Sequence, residues 1–549
     1  MRLENLRKFW SNREGNVAII FAVASIPLIG FAGAAVDYGS ATRLRTKLQA
    51  AADASALMLC QTPSATTAVL LNQQAQQSMS SYMGTSVGLS VDSLVITSSP
   101  RKITLSANAK STMAFGRFLG WTNMSVGAKA QCATPLPKTF EIALVLDTTG
   151  SMANSGGGGS KLSAAQTAAN NFIDYVKGND AFAADTRISI VPFAASVNVG
   201  SAYAAASWVD TLGKSSYHWT NVDKTQAKAA GFTSRFNIFT QLATKYSAWA
   251  WGGCFEGLPY PYNTQDGTPT GDDTLYVPMF APDEPGNGTT GTATFSGNYS
   301  YNSYIDDKTS AGNCNTTPSS FTAAESRACK YVAASGASYS TSAGVGIPNG
   351  PNFLCTSKPL QRLTTNTATL KSLVNSLTAV GSTNIHEGFM WGWRTISPKS
   401  VFADGASYDS TTTNKVIILM TDGANSWNDN SSSYNKSLYF PMGYFVNADG
   451  STANGRLPSG YQNLGNSTDA RNALDQLTLQ TCKNAQSTGI SIYTIGFSVS
   501  SDPIDAQGKT LLSNCASAPG QAYVANTSAD LIQAFDNIAK SIGALRLSQ

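Results

Sequence analysis

Two apolar runs in the second half of the chain predict buried strands that each lead to an acidic residue. The first run covers 142–146 and is followed by Asp147, and the second covers 416–420 and leads to Asp422. Neither run alternates with polar residues, which is typical of strands that are covered on both faces in a parallel sheet. With amphipathic helical patterns between such runs, we expect an α/β fold with a doubly wound, mostly parallel sheet.

The beginning of the chain has a different pattern. Residues 17–36 carry no charge, and 20 such residues are enough to span a bilayer. Apolar residues at helical spacing continue beyond this segment as far as Met58, so one helix is expected to extend past the membrane. We therefore predict a retained anchor at 17–36. A signal peptide cleaved near Ala32–Ala34 is the alternative.

Between about 89 and 133 apolar and polar residues alternate in three runs, which predicts a small antiparallel sheet packed on the long helix. Two prolines then indicate a linker to the α/β region. The resulting division of the chain is a basic tail at 1–16, a transmembrane helix at 17–36, a helix-and-sheet module at 37–134, a linker at 135–140, and an α/β domain at 141–545 with insertions at about 200–360 and 424–467.

The first insertion is rich in aromatic residues and poor in strand signals. Packing of these aromatics inside a disulfide-linked insertion is favoured over a surface on which glycans stack. The aromatic residues in its early part are Tyr246, Trp249, Trp251, Phe255, Tyr260 and Tyr262.

Composition places the body of the protein outside the cytoplasm. Eight cysteines without a Cys-x-x-Cys motif, beside only two histidines, favour disulfides in an oxidising compartment over a zinc site. The predicted topology is therefore a cytoplasmic N-terminus, one membrane span, and an exported C-terminal body. Chain order suggests the pairs Cys60–Cys132, Cys254–Cys355, Cys314–Cys329 and Cys482–Cys515. The net charge of +4 is spread without a basic block, so no nucleic-acid partner is expected.

Five oxygen-bearing side chains form the candidate site. Asp147, Thr149 and Ser151 alternate after the first strand, Thr383 precedes an amphipathic helix, and Asp422 follows the second strand. Ligands of open α/β sheets collect at the carboxyl ends of the strands, and carboxylate and hydroxyl oxygens suit a hard divalent cation. We expect Mg²⁺, with Mn²⁺ or Ca²⁺ as alternatives. The simpler interpretation is that Thr149 or Ser151 only caps the next helix.

Catalysis is not expected. His386 and Glu387 follow Thr383, but position 390 is Met, so the two-histidine zinc helix is absent. Glu387 is expected on the exposed face of its helix. The prediction is therefore a binding or structural protein and not an enzyme.

Two stretches resemble known families. Residues from Arg13 onward, REGNVAIIFAVASIPLIGFAGAAVDYGSATRLRTKLQAAADASAL, resemble the N-terminal module of TadE/TadG-like proteins of Flp pilus assembly. The five residues of the candidate site resemble the metal-ion-dependent adhesion site of Rossmann-like von Willebrand factor type A (VWA) domains, with Thr149 in place of the commoner serine. Ile20 stands where processed pilin-like proteins have glutamate, so prepilin-type cleavage is not expected.

The resemblance implies a pilin-like membrane-anchored module followed by a VWA domain. It implies a pilus-assembly or adhesion protein of the inner membrane, with its body in the periplasm or at the cell surface. The expected partners are a protein that offers a carboxylate to the metal, and other pilin-like or Tad pilus components. The alternative is a free-standing surface or secreted VWA adhesin unrelated to pilus assembly.

Overall fold

The computed structural model describes residues 16–62, 66–84, 88–98, 101–133, 138–285, 301–306, 314, 318–342 and 346–544. The predicted tail, apart from Asn16, lies outside these residues, as do the first three residues of the predicted linker. The chain divides into two compact units, with the boundary between Pro137 and Lys138.

The first unit is built on one long helix, α1 (Asn16–Cys60), followed by α2 (Ala68–Met83). Among the described residues, α1 is the one helix that by length and composition could cross a membrane. The alternating runs form a three-stranded antiparallel sheet in the order β1 (Ser90–Ser98), β2 (Arg101–Thr112), β3 (Asn123–Ala133).

One face of this sheet packs against the helices. In β2 and β3 every second side chain is buried, which matches the two-residue period of a strand. The buried residues include Leu48 and Ala52 of α1, Met79 of α2, and Ile103 and Leu105 of β2. The part of α1 beyond residue 40 is therefore held by packing.

A six-stranded sheet forms the centre of the second unit. Its order is β6-β5-β4-β7-β8-β9, and all neighbouring strands are parallel except β6, which is antiparallel to β5. The strands are β4 (Thr139–Asp147), β5 (Arg187–Phe193), β6 (Gln361–Thr364), β7 (Thr413–Thr421), β8 (Ser491–Phe497) and β9 (Ala522–Ala525).

Helices cover both faces of this sheet. Ile142, Leu144 and Leu146 of β4 belong to one hydrophobic core, whereas Ala143 and Val145 belong to the core on the other face. The first core includes α3 (Lys161–Gly178), α8 (Thr367–Ser376) and α12 (Ser528–Ala544), and the second includes α9 (Ile385–Ile396), α10 (Ser467–Ser487) and α11 (Ala506–Cys515).

The two insertions pack against each other. The first contains the short helices α4 (Lys224–Ala229), α5 (Arg235–Ala243), α6 (Phe321–Ser326) and α7 (Lys330–Ala333). A shared core joins Cys254 and Phe353 of the first insertion to Trp427 and Phe440 of the second. The aromatic side chains of Trp249, Trp251 and Phe255 are buried. Tyr246 and Tyr260 are partly buried, whereas Tyr262 is 44% exposed, so aromatic packing accounts for five of the six aromatic residues and not for Tyr262.

Four disulfides link the cysteines, and they are the four pairs that chain order suggests: Cys60–Cys132, Cys254–Cys355, Cys314–Cys329 and Cys482–Cys515. Cys60–Cys132 joins the end of α1 to β3. Cys254–Cys355 joins positions 101 residues apart within the first insertion.

Replacing Cys254 and Cys355 together by alanine should lower the free energy of unfolding of the body by roughly 4–5 kcal/mol, because the disulfide closes a long loop and so restricts the unfolded chain. Thermal unfolding of the oxidised full chain measures this. The matched control is the Cys314/Cys329 double alanine variant, whose loop of 15 residues should cost only about 3 kcal/mol. Equal losses in the two variants would contradict the loop-length explanation.

Candidate metal-binding site

The candidate site lies where two neighbouring parallel strands end. Leu146 of β4 is paired with Met420 of β7. Asp147 is the last residue of β4, and Asp422 follows the last residue of β7, so the two acids emerge at the same edge of the sheet. The expected convergence of the two acids at the carboxyl edge is therefore present.

Backbone hydrogen bonds bring the threonine loop to this edge. The N–H of Val380 donates to the carbonyl of Thr148 at 2.9 Å, and the N–H of Gly150 donates to the carbonyl of Gly381 at 2.9 Å. Thr383 is in turn tied to the loop after β7, because its N–H donates to Ser426 Oγ at 3.0 Å. Its own Oγ1 lies 3.9 Å from the position of a Cβ on Gly423. All three predicted segments thus meet.

Asp147, Thr149, Ser151 and Asp422 belong to one hydrogen-bonded network, and Thr383 lies beside it near Gly423. Thr149 Oγ1 and Ser151 Oγ are 3.1 Å apart, and Ser151 Oγ donates to Asp422 Oδ1 at 2.8 Å. Asp147 Oδ1 accepts the N–H of Thr149 at 2.8 Å, and its Oδ2 accepts the hydroxyl of Thr421 at 2.6 Å. Thr149 makes no side-chain cap on the short helical turn at 150–153, and the next helix, α3, is capped by Ser160. The simple capping role is therefore not what these hydroxyls do here.

Burial disfavours the charged forms of the two site carboxylates. Loss of solvation, together with the nearby charge of Asp422, raises the pKa of Asp147 to about 7, although the hydrogen bonds from Thr421 and Thr149 act in the opposite direction. Burial also raises the pKa of Asp422, although the ammonium of Lys161 opposes that effect. Two buried carboxylates that repel each other are an environment that a bound cation stabilises.

Lys161 is a site residue that the sequence analysis missed. Its buried ammonium lies 2.9 Å from Asp422 Oδ2 and 2.6 Å from Asp502 Oδ2. Asp502 also accepts a hydrogen bond from Asn154 at 2.9 Å, and its side chain is 38% exposed, so it forms the outer rim of the group. The acids raise the pKa of Lys161 although burial, the largest single effect, lowers it.

A signal for Lys161 was present in the sequence. Lys161 is the first residue of α3, and a cation at a helix N-terminus is unfavourable beside the positive end of the helix dipole. Acidic partners offset this unfavourable interaction, and the strand ends supply them. Asp502 carries a weaker signal, because it follows β8 at the same edge as Asp422.

The residues present fit a hard divalent cation. Among the residues that the structure describes, no group of three or more His, Cys, Asp or Glu side chains is arranged to hold a metal. A site here would therefore depend on the hydroxyls of Thr149, Ser151 and Thr383 together with the two acids, which is a donor set for Mg²⁺ and not for zinc. Counting Asp147, Asp422 and Asp502 against Lys161 leaves a formal charge of −2, which one divalent cation would balance.

The two residues considered for catalysis, His386 and Glu387, lie in the buried helix α9. Glu387 is buried, so the expectation that it lies on an exposed helix face is wrong. The whole of α9 is buried because the insertions cover the side that would otherwise face solvent. His386 Nε2 lies 2.9 Å from the carbonyl oxygen of Asn263, and burial lowers its pKa to about 3. It is a neutral residue of the interior.

Comparison with known proteins identifies the N-terminal segment. Residues 15–58 match the family model of Flp pilus-assembly TadE/G-like proteins. No curated protein matches the chain.

Several solved structures show a distant likeness. One is the vWF domain of the type V pili tip protein Mfa5 from Porphyromonas gingivalis, at 13% identity and a TM-score of 0.32, over 75% of this chain and 98% of that one. Another is the pilus adhesin SpaC from Lactobacillus rhamnosus GG, at 12% identity and a TM-score of 0.32, over 83% of this chain and 34% of that one. A third is the adhesive tip pilin GBS104 from Group B Streptococcus agalactiae, at 12% identity and a TM-score of 0.33, over 74% of this chain and 100% of that one. These likenesses are too distant to carry a functional argument.

Proposed function

We propose that this chain is a membrane-anchored pilus-assembly or adhesion protein of the Tad (Flp) type, and that its C-terminal body is a VWA domain that binds a protein partner through a divalent metal. The observation that carries the binding proposal is the convergence of Asp147, Thr149, Ser151, Thr383 and Asp422 at one sheet edge. The observation that carries the pilus proposal is the TadE/G-like segment at 15–58.

The fold supports the VWA assignment. A mostly parallel sheet with helices on both faces, and loops at the carboxyl edge that present hydroxyls and acids, is the arrangement that the resemblance implies. When bound, the metal would offer an electrophilic position to an acidic group of the partner. The chain's own residues prepare this: Thr421 and the N–H of Thr149 fix Asp147, and Lys161 and Ser151 fix Asp422.

The four disulfides support an extracytoplasmic body, because such bonds persist in oxidising compartments. Helix α1 would then anchor the chain in the cytoplasmic membrane with its N-terminus inside. The buried positions of His386 and Glu387 give neither residue the access to substrate that catalysis requires.

The proposal is tested in spheroplasts that carry the tagged full chain. External protease should digest the body, and chemical cross-links from the body to pilus subunits should form in Mg²⁺ and disappear with a chelator. Asp422→Asn should strongly reduce the Mg²⁺-dependent cross-links at limiting Mg²⁺, because it removes one of the two site carboxylates. Quantitative immunoblotting of the cross-linked species gives the measurement.

Each part of the proposal has its own contrary result. A body protected from external protease would reverse the topology. Cross-links to pilus subunits that persist unchanged in chelator would leave the pilus association and remove the metal-dependent binding. Mg²⁺-dependent cross-links to proteins other than pilus subunits would support a free-standing adhesin.

A further inference from the structure

The connection between β2 and β3, here called the aromatic loop (residues 113–122), is fixed to one place on α1. The carboxylate of Asp37 accepts three of its backbone N–H groups, from Ala114 at 2.7 Å, Phe115 at 3.1 Å and Gly116 at 2.7 Å. Phe115 also lies directly against Gly33, where an added Cβ would fall 2.6 Å from Phe115 Cγ. The loop is therefore held at positions 33–37 of the helix.

Positions 33–37 are also where the apolar segment of α1 ends. Before them, the large apolar side chains of the segment are exposed in the fold. These residues are Val17, Ile19, Ile20, Phe21, Val23, Ile26, Leu28, Ile29 and Phe31, and Val36 within positions 33–37 is exposed as well. Beyond Asp37, side chains of the same helix such as Ala41 and Leu48 are buried against the rest of the module. If α1 spans a membrane, the aromatic loop lies at the level where the helix leaves the hydrocarbon.

The loop presents large aromatic side chains that are wholly or partly exposed among the described residues of its module. Phe118 is 87% exposed, Trp121 is 65% exposed, and Phe115 is partly exposed beside Gly33. Tyr38, the residue after Asp37, is exposed on the helix at the same level. Tryptophan and tyrosine are enriched at membrane interfaces, because their rings combine an apolar body with a polar group.

Basic residues lie beside and above the aromatic side chains. Arg117 is exposed within the loop, and Arg43 and Arg45 are exposed on α1, about 9 and 12 Å further along the helix axis than Asp37. An aromatic level next to the apolar segment, followed by cations on the side away from it, matches the order of chemistry from the hydrocarbon boundary to the headgroups. A surface in contact with water alone would have no need of this order.

We propose that Phe115, Phe118 and Trp121 insert into the interfacial region of the same membrane that α1 spans, so that the module contacts the lipid at two points. This inference rests on the anchor in the proposed function and is independent of the metal site. The lipid is the favoured occupant because the loop is continuous with the exposed apolar surface of α1, which requires lipid around it. The second contact fixes the direction in which the sheet stands above the membrane.

The test uses the full chain in phosphatidylcholine–phosphatidylglycerol vesicles that contain a phospholipid with a photoactivatable diazirine on the upper part of its acyl chain. After illumination, labelled peptides are identified by mass spectrometry across a range of protein-to-lipid ratios. We expect label in 17–36 and in 115–121 at every ratio. The peptide that carries Leu212 of the body, which is 62% exposed, is the control and should stay unlabelled.

A double variant gives the matched comparison. Phe118→Ser with Trp121→Ser should lower the labelling of the loop several-fold and leave the labelling of 17–36 unchanged. Equal labelling of the loop in the variant and the parent would overturn the proposal.

Other outcomes separate the alternatives. Label in the span but not in the loop would overturn the inference and leave the anchor intact. Loop labelling that appears only on dilution would show that a second copy covers the aromatic residues, and would also overturn it. Absence of label from both segments would contradict the membrane anchor itself and therefore the proposed function.

Discussion

The affinity for Mg²⁺ should fall about 10- to 100-fold when Asp422 is changed to asparagine. The substitution removes one of the two carboxylates of the candidate site. The amide oxygen of the asparagine can still accept from the Lys161 ammonium, and its NH₂ group can donate to Ser151 Oγ. Calorimetric titration of Mg²⁺ or Mn²⁺ into the detergent-solubilised full chain provides the measurement. Asp174→Asn is the matched control, because it removes an exposed carboxylate that is paired with Lys371 away from the site.

The structure decides which substitution is informative. Asp422→Ala would leave the buried ammonium of Lys161 with Asp502 as its one remaining acidic partner. Removing the buried partner of Lys161 destabilises the fold, so a loss of metal binding in this variant could reflect unfolding. The apolar character of the strands suggests from sequence alone that alanine would be tolerated, but the contact with Lys161 argues against that.

Two further variants define the expected pattern. Lys161→Met should increase the affinity for Mg²⁺, because the ammonium no longer competes for Asp422 Oδ2, and should lower the stability of the metal-free protein. Thr383→Val should have a smaller effect than Asp422→Asn, since it removes a neutral oxygen. Equal Mg²⁺ affinity in Asp422→Asn and the parent would contradict the metal site and leave the oxygens with a purely structural role.

The stability of the body should fall as the pH rises from about 5 to about 8. Burial raises the pKa of Glu284 to about 7 and that of Glu325 to about 8. Both residues belong to the first insertion and contact the second, since Tyr444 donates to Glu284 at 2.7 Å and Asn435 Nδ2 lies 3.0 and 3.1 Å from the two carboxylate oxygens of Glu325. The interface between the insertions therefore contains carboxyl groups that keep their protons when folded.

The direction of the effect follows from proton counting. Above the ordinary glutamate pKa of about 4.3 the unfolded chain has released these protons, whereas the folded chain still holds them up to its own higher pKa. Each group then costs roughly 1 kcal/mol of stability per pH unit across that window. Below it both states are protonated, and the contribution no longer changes.

Glu325→Gln should flatten this dependence, because a neutral amide has no proton to lose. Urea unfolding of the full chain at several pH values between 5 and 8.5, followed by the fluorescence of the buried body tryptophans, gives the slopes. Asp505→Asn is the control, since Arg471 lowers the pKa of that carboxyl to about 2, outside the window. If the free energy of unfolding of Glu325→Gln falls as steeply with pH as that of the parent, the insertion interface is not the source of the pH dependence.

Much of the architecture is contained in local patterns. The uncharged segment 17–36 is visible in any reading of the sequence, and so are the apolar runs of β4 and β7 and the alternation of β2 and β3. Each is a property of residues within about ten positions of one another, governed by periodicity and length. The five oxygens of the candidate site could be named for the same reason, because each stands directly after a strand or before a helix.

Only the tertiary structure decided which distant groups meet. The contact of Lys161 with Asp422 spans 261 residues, and that of Asn435 with Glu325 spans 110. The tertiary structure also buries Glu387 beneath the insertions and places Phe115 against Gly33. Local sequence fixes the period and polarity of each element, but burial and charge pairing depend on which surfaces the chain later brings together. A lysine that looks like an exposed residue at the start of a helix thus became the counter-ion of the candidate site.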